Sequence, residues 1–213
     1  MGKYFGTDGF RGEANVDLTV EHAYKVGRYL GWYYSQNGKA KVVIGKDTRR
    51  SSYMFEYALV SGLTASGADV YLLHVTTTPS VSYVVTSEEF DCGIMISASH
   101  NPYYDNGIKI LDGNGHKMDA GVENLIEQYI DGLIDELPYA TKDEIGCALD
   151  YSIGRNRYIG YLMSIPTRAF RNYRVGLDCA NGASSAIAKS VFDALGAKTY
   201  VINSDPDGLN INT

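Results

Sequence analysis

Helix and strand patterns alternate along this chain, and that alternation narrows its possible folds more than anything else. Behind Thr19, a natural capping residue, apolar or small side chains recur at Val20, Ala23, Tyr24, Gly27, Leu30 and Gly31, the spacing of one helix face. KVVIG (41–45) then reads as a short buried strand. Phe55, Ala58, Leu59, Gly62 and Leu63 mark a second helix, with Ser51 or Ser52 as its expected cap. ADVYLL (68–73) and CGIMI (92–96) read as further strands. Asp119 heads a last strong helix whose face runs Val122, Leu125, Ile126, Tyr129, Ile130, Leu133 and Ile134. Apolar strands alternating with helices belong to βαβ units, because parallel strands need crossovers and are covered on both faces. The expected class is α/β with a largely parallel sheet.

The pattern dissolves between Leu137 and Gly146. This divides the chain into a first unit over residues 1–140, a linker over 141–151 and a second unit over 152–213. YSIGRNRYIGYLMSI reads as a connecting helix that ends before Pro166. KVVIGKD, a helix and SGADVYLL in the first unit are then echoed by RVGLDCA, a helix and LGAKTYVI in the second. Any two βαβ units look alike to this degree, so the echo alone leaves duplication open. RVGLD and TYVI are the second unit's only clear strands, too few to bury a stable core. The expectation is that the chain is part of a longer protein.

A formal net charge of −6 argues against nucleic acid as a partner, since binders of phosphate backbones present a basic face. No apolar run approaches the ~20 residues of a membrane span, and MGKYFGTDG lacks the apolar stretch of a signal peptide. The three cysteines, Cys92, Cys147 and Cys179, have no CxxC spacing and read as buried free thiols of a reducing cytoplasm. Eighteen tyrosines show no stacking-platform spacing, although Tyr103 and Tyr104 flank the loop that matters most.

That loop is SASHNP (97–102), which follows CGIMI directly. In parallel α/β sheets ligands sit off the carboxyl ends of strands. Ala98 and Ser99 leave room for a ligand, Ser99 offers a hydroxyl nucleophile, and His100 and Asn101 offer polar support. DNG (105–107) is expected to turn the chain back into GIKIL, bringing Lys109 near the loop. A plain polar turn is the alternative. A Ser-His-Asp hydrolase fits poorly, for want of a GxSxG elbow and because neighbouring Ser99 and His100 do not naturally pair as nucleophile and base. YFGTDGFRG (4–12) supplies a glycine-rich loop with Arg11 suited to phosphate, or a solvated turn. In GKDTRRSS (45–52), Asp47 and Arg49 either face the same crevice or form a structural pair.

Taken in order, YFGTDGFRG, GKDTRRS and ISASHNPYYDNGIKI resemble the amino-terminal half of the α-D-phosphohexomutases, and within them the bacterial phosphoglucosamine mutases. RVGLDCANGA and PDGLNIN resemble that family's second domain. The resemblance implies a mixed, largely parallel sheet sandwiched by helices, followed by an incomplete second βαβ domain of similar topology. It implies interconversion of glucosamine 6-phosphate and glucosamine 1-phosphate through a phosphoserine at Ser99 and a bisphosphorylated sugar, for cell-wall precursor synthesis. Arg11 and Lys109 match positions that stabilise phosphate or assist proton transfer, and His100 flanks the serine. Mg²⁺ is the implied ion, with phospho-Ser99 as one ligand. A hexosamine phosphate is the implied partner, without nucleic acid or membrane, and a homodimer is the candidate assembly. The family's DxDxDR metal loop is absent, and neither DPDG (205–208) nor DGNG (112–115) replaces it. Its sugar loop and carboxy-terminal phosphate loop are missing too. The remaining metal ligands are therefore expected outside this chain, which should be inactive alone. A phosphoglucomutase or phosphomannomutase, or a non-catalytic phosphate-binding module, stays open.

Overall fold

The structure is a computed structural model describing residues 2–213. Its main sheet is built from β1 (Phe5–Gly6), β2 (Gly9–Glu13), β3 (Lys41–Lys46), β4 (Asp69–Val75), β5 (Cys92–Ile96), β6 (Asp105–Asp112) and β7 (Ala148–Asp150). Their spatial order is β1-β2-β6-β5-β3-β4-β7. β5, β3, β4 and β7 run parallel, whereas β6 pairs antiparallel with both β5 and β2. The mixed, largely parallel α/β sheet expected from the sequence is what forms.

Helices α1 (Val20–Tyr34), α2 (Arg50–Ala65) and α4 (Ala120–Ile130) cover one face, and α3 (Thr78–Ser87) and α5 (Ser152–Ser164) lie on the other. Even-numbered β3 residues Val42 and Ile44 enter the first core, while Val43 enters the second. That period of two is why KVVIG is apolar throughout. Thr19 caps α1 as expected and closes a capping box with His22. The expected cap of α2 is corrected. Arg49 occupies the cap without a side-chain bond, and Ser52 instead donates to Asp47 at 2.7 Å. The stripe drawn through α4 is also too long. Gly132, at φ +73°, ends the helix after Ile130, leaving Leu133 exposed.

The stretch read as linker supplies edge strand β7, paired with β4 from Val70 to Leu72. Arg28 anchors it. This guanidinium is fully buried, donates to the Leu137 carbonyl and lies 3.8 Å from the Tyr139 ring centroid. In the second unit, β8 (Arg174–Asp178) and β9 (Lys198–Ile202) form a separate parallel pair beside α6 (Ala188–Ala194). No helix among the described residues is long and apolar enough to cross a membrane.

Candidate active site

Ser99 stands exposed just past the carboxyl end of β5, where an α/β sheet presents its ligands. Its backbone has φ +58°, a left-handed conformation that a non-glycine residue holds at a cost on the order of 1–3 kcal/mol. Surrounding bonds impose it. Ser97 Oγ accepts from the Ser99 amide at 3.0 Å, and Asn101 donates its amide to the Ala98 carbonyl at 3.1 Å. From below, Arg49 Nη2 donates to the Ser99 carbonyl at 3.2 Å and the Asn101 carbonyl at 2.7 Å. Arg49 is fully buried and paired with the buried Asp47, which also accepts from the Arg49 amide and from Ser52. Asp47 and Arg49 thus form a structural pair that serves the loop, and Asp47 also lines the cavity beside Ser99, so for Asp47 both readings hold.

DNG does not turn the chain. Asp105, Asn106 and Gly107 already belong to β6, and the reversal falls at residues 101–104, where Asp105 donates its amide to the Pro102 carbonyl. Asn106 is buried because it has partners. Its side chain donates to Ser51 at 2.8 Å and Ser52 at 3.0 Å, and accepts from the Gly107 amide. The loop is thus tied to the start of α2 from two directions.

YFGTDGFRG forms the β1–β2 hairpin, not a free loop. Glu127 fixes its origin by accepting from the amides of Lys3, Tyr4 and Phe5 at 2.7–2.8 Å. Burial pushes the Glu127 carboxyl up, but those three amides outweigh it and hold the group below the usual glutamate value. β2 then places Arg11 opposite Gly107 on β6, and Asp8 lies 3.4 Å from Arg11 and 3.7 Å from Lys109. Arg11, Lys109 and Asp8 therefore form one half-exposed charged cluster. Arg11 Cγ passes 2.9 Å from the point where a Gly107 side chain would begin, and the Ser97 carbonyl lies 2.7 Å from the same point. The cluster flanks the loop without lining the cavity beside Ser99.

His100 Nδ1 lies 3.3 Å from Ser99 Oγ, closer than their adjacency in sequence led us to expect. No carboxylate bonds to the His100 ring among the described residues, so a Ser-His-Asp triad is not assembled. A cavity of about 360 Å³ opens between Thr77, Ser97, Ser99 and His100 of the first unit and Ala180 and Asn212 of the second. Its size suits a small ligand. A cavity of about 430 Å³ lined by Trp32, Lys39 and Tyr139 sits instead at the amino ends of β3 and β4, away from every candidate residue.

The two units meet around this cavity through polar contacts. Thr48 donates to the Asn181 carbonyl at 2.7 Å, the Arg50 amide to the Gly208 carbonyl at 3.3 Å, and Asn212 Nδ2 to the His100 carbonyl at 3.0 Å. Reading the sequence alone missed Asn212, whose only signal is its place in PDGLNIN. No group of three His, Cys, Asp or Glu side chains that could hold a metal occurs among the described residues. Asp47, the acid that lines the cavity beside Ser99, is already bonded to Arg49 and Ser52.

Residues 2–135 match the family profile of phosphoglucomutase/phosphomannomutase, alpha/beta/alpha domain I. The chain belongs to this family. It is 72% identical over 213 residues to a phosphoglucosamine mutase of Lachnoclostridium phytofermentans, covering all of this chain and 48% of that relative. It is 70% identical over 215 residues to a phosphoglucosamine mutase of Lachnospira eligens, again covering 48% of it. The chain spans about half the length of the curated relatives it matches. A solved phosphoglucomutase/phosphomannomutase family protein from Burkholderia thailandensis superposes with a TM-score of 0.81 at 24% identity. That match covers 98% of this chain and 46% of that one, and it establishes the shared fold.

Proposed function

We propose that this chain carries the phosphoryl-bearing serine of a mutase that interconverts glucosamine 6-phosphate and glucosamine 1-phosphate. The observation that carries the reading is Ser99 itself, exposed in a left-handed conformation at a strand's carboxyl end, beside a cavity. The 72% identity to a phosphoglucosamine mutase supports the choice of sugar. In this reading the P–O bond to Ser99 Oγ breaks as a P–O bond forms to a sugar hydroxyl, whose proton passes to a nearby base. The bisphosphorylated sugar turns over and returns its other phosphate to Ser99. Such transfer depends on positioning and charge neutralisation. Arg11 and Lys109 supply cations beside the loop, and His100 lies close enough to Ser99 Oγ to exchange a proton with it.

Magnesium belongs to this reading as a counter-charge to the phosphoryl oxygens. The donors present here do not make its site. Ser99 is a single oxygen ligand, and no acidic cluster accompanies it among the described residues. The reading also includes a cytoplasmic location, for which the free thiols are support, although only Cys92 and Cys179 are buried as expected and Cys147 is exposed, and a homodimer as the assembly to test.

The test is a comparison of full-length enzyme and its Ser99→Ala variant on glucosamine 6-phosphate, glucose 6-phosphate and mannose 6-phosphate. Highest kcat/KM on the glucosamine ester, abolished in Ser99→Ala, is the expected result. Preference for glucose or mannose esters would reassign the sugar. Full activity in Ser99→Ala would remove the mechanism.

A further inference from the structure

Three consecutive carbonyls of the loop, those of Ser99, His100 and Asn101, each accept from a side chain remote in sequence. Arg49 takes the first and third, and Asn212 takes the second. Carbonyls in exposed loops are ordinarily left to water, so side chains drawn from the cap of α2 and from the second unit are an unusual investment in one tripeptide. The two ties also differ in kind. Arg49 is fully buried, with Asp47 against it, whereas Asn212 is exposed.

From this geometry, and resting on the phosphoryl-transfer reading above, we propose that Arg49 and Asn212 are positioning residues for Ser99. Together they hold the 99–101 main chain in the conformation that presents Ser99 Oγ to the cavity. Asp47 holds Arg49 in turn. A guanidinium suits the task because its fork spans two partners while staying charged, Nη1 on Asp47 and Nη2 on both carbonyls. The arrangement has a second consequence. A trans peptide points its N–H opposite to its carbonyl. With the Ser99 carbonyl drawn down to Arg49, the His100 N–H is directed away from the protein's interior. That N–H makes no hydrogen bond among the described residues, which leaves it free to donate to oxygens of a phosphoryl group on Ser99. Neither Arg49 nor Asn212 touches Ser99 Oγ, so both act through the backbone.

The test uses full-length protein, dephosphorylated and then incubated with glucosamine 1,6-bisphosphate and Mg²⁺, with phosphate on Ser99 followed over time by intact mass. Arg49→Lys keeps the charge but leaves one ammonium to serve Asp47 and both carbonyls, where two nitrogens share that work in the guanidinium. It is expected to slow phosphorylation about 10- to 100-fold, the scale of a displacement near 1 Å at a reacting group. Asn212→Ala removes one hydrogen bond at an exposed position and is expected to slow it about 2- to 10-fold, with an unchanged melting temperature. In steady state the Arg49→Lys change should fall on kcat and leave KM for the sugar phosphate within about twofold, since Arg49 is fully buried and does not line the cavity. A merely structural role would lower the melting temperature and leave the rate of the folded fraction alone.

Wild-type phosphorylation rates in both variants would overturn the proposal. If Arg49→Lys does not fold, the exposed Asn212→Ala decides, and a wild-type rate there would again overturn it. A wild-type protein that accepts no phosphate would instead bring down the phosphoryl-transfer reading and the positioning role with it. That outcome is visible before any variant is measured.

Discussion

Gly107→Ala separates two opposing effects at the candidate site. Gly107 lies in β6, not in a turn, and its φ is not in the left-handed range, so alanine is conformationally allowed there. On backbone entropy alone the change should stabilise the fold by about 0.4–1 kcal/mol. The space decides otherwise. A Cβ at this position would lie 2.7 Å from the Ser97 carbonyl oxygen, 2.9 Å from Arg11 Cγ and 3.2 Å from the Phe10 carbonyl oxygen. Two of these three are backbone atoms of flanking segments and cannot rotate away. Overpacking of this kind costs about 1–3 kcal/mol, so the net effect is a destabilisation of about 1–2 kcal/mol. At a urea slope of ~2 kcal/mol per molar, the midpoint of the chain's unfolding falls by roughly 0.5–1 M. Because the displaced atoms are Ser97 and Arg11, phosphorylation of Ser99 should slow in the same variant. An unchanged or raised midpoint with normal phosphorylation would refute the packing reasoning.

Two further outcomes follow from other parts of the structure. Glu127→Gln should be less stable than wild type at pH 7, measured by thermal melting. A carboxyl held below its ordinary value stabilises above that value, and loses this contribution as pH falls through the folded-state pKa, so the two melting curves should converge below about pH 4. Lys46 and Glu56 form a pair in which both side chains are almost fully buried. Glu56→Ala leaves the ammonium unpaired and should cost about 3–5 kcal/mol in urea unfolding, while the double variant Lys46→Met with Glu56→Leu should recover most of that.

The layers of the first unit were legible because burial writes a period into sequence. Val42 and Ile44 against Val43 record a strand covered on both faces, and Thr19 records a helix start. Helix α3 was not assigned, although Val81, Val84 and Val85 keep helical spacing behind Pro79, because its β-branched residues resemble a strand. DNG was misplaced for a different reason. Asn106 looks like a turn residue, and only its tertiary partners Ser51 and Ser52 make it a strand residue. Ser99, His100, Arg11 and Lys109 are singled out by the motifs SASHNP, GFRG and GIKIL, and in the structure they lie on or beside one loop. What no local pattern could show was the support of that loop. Arg49 lies 50 residues from the Ser99 carbonyl it binds, and Asn212 lies 112 residues from that of His100.

The most direct test of the central claim is phosphosite mapping by mass spectrometry on the full-length protein purified from its own cells, before and after incubation with the sugar bisphosphate and Mg²⁺. Phosphate on Ser99, chased off by glucosamine 6-phosphate, is the predicted result. A Ser99 that stays bare under both conditions would contradict it and leave the loop as a binding turn.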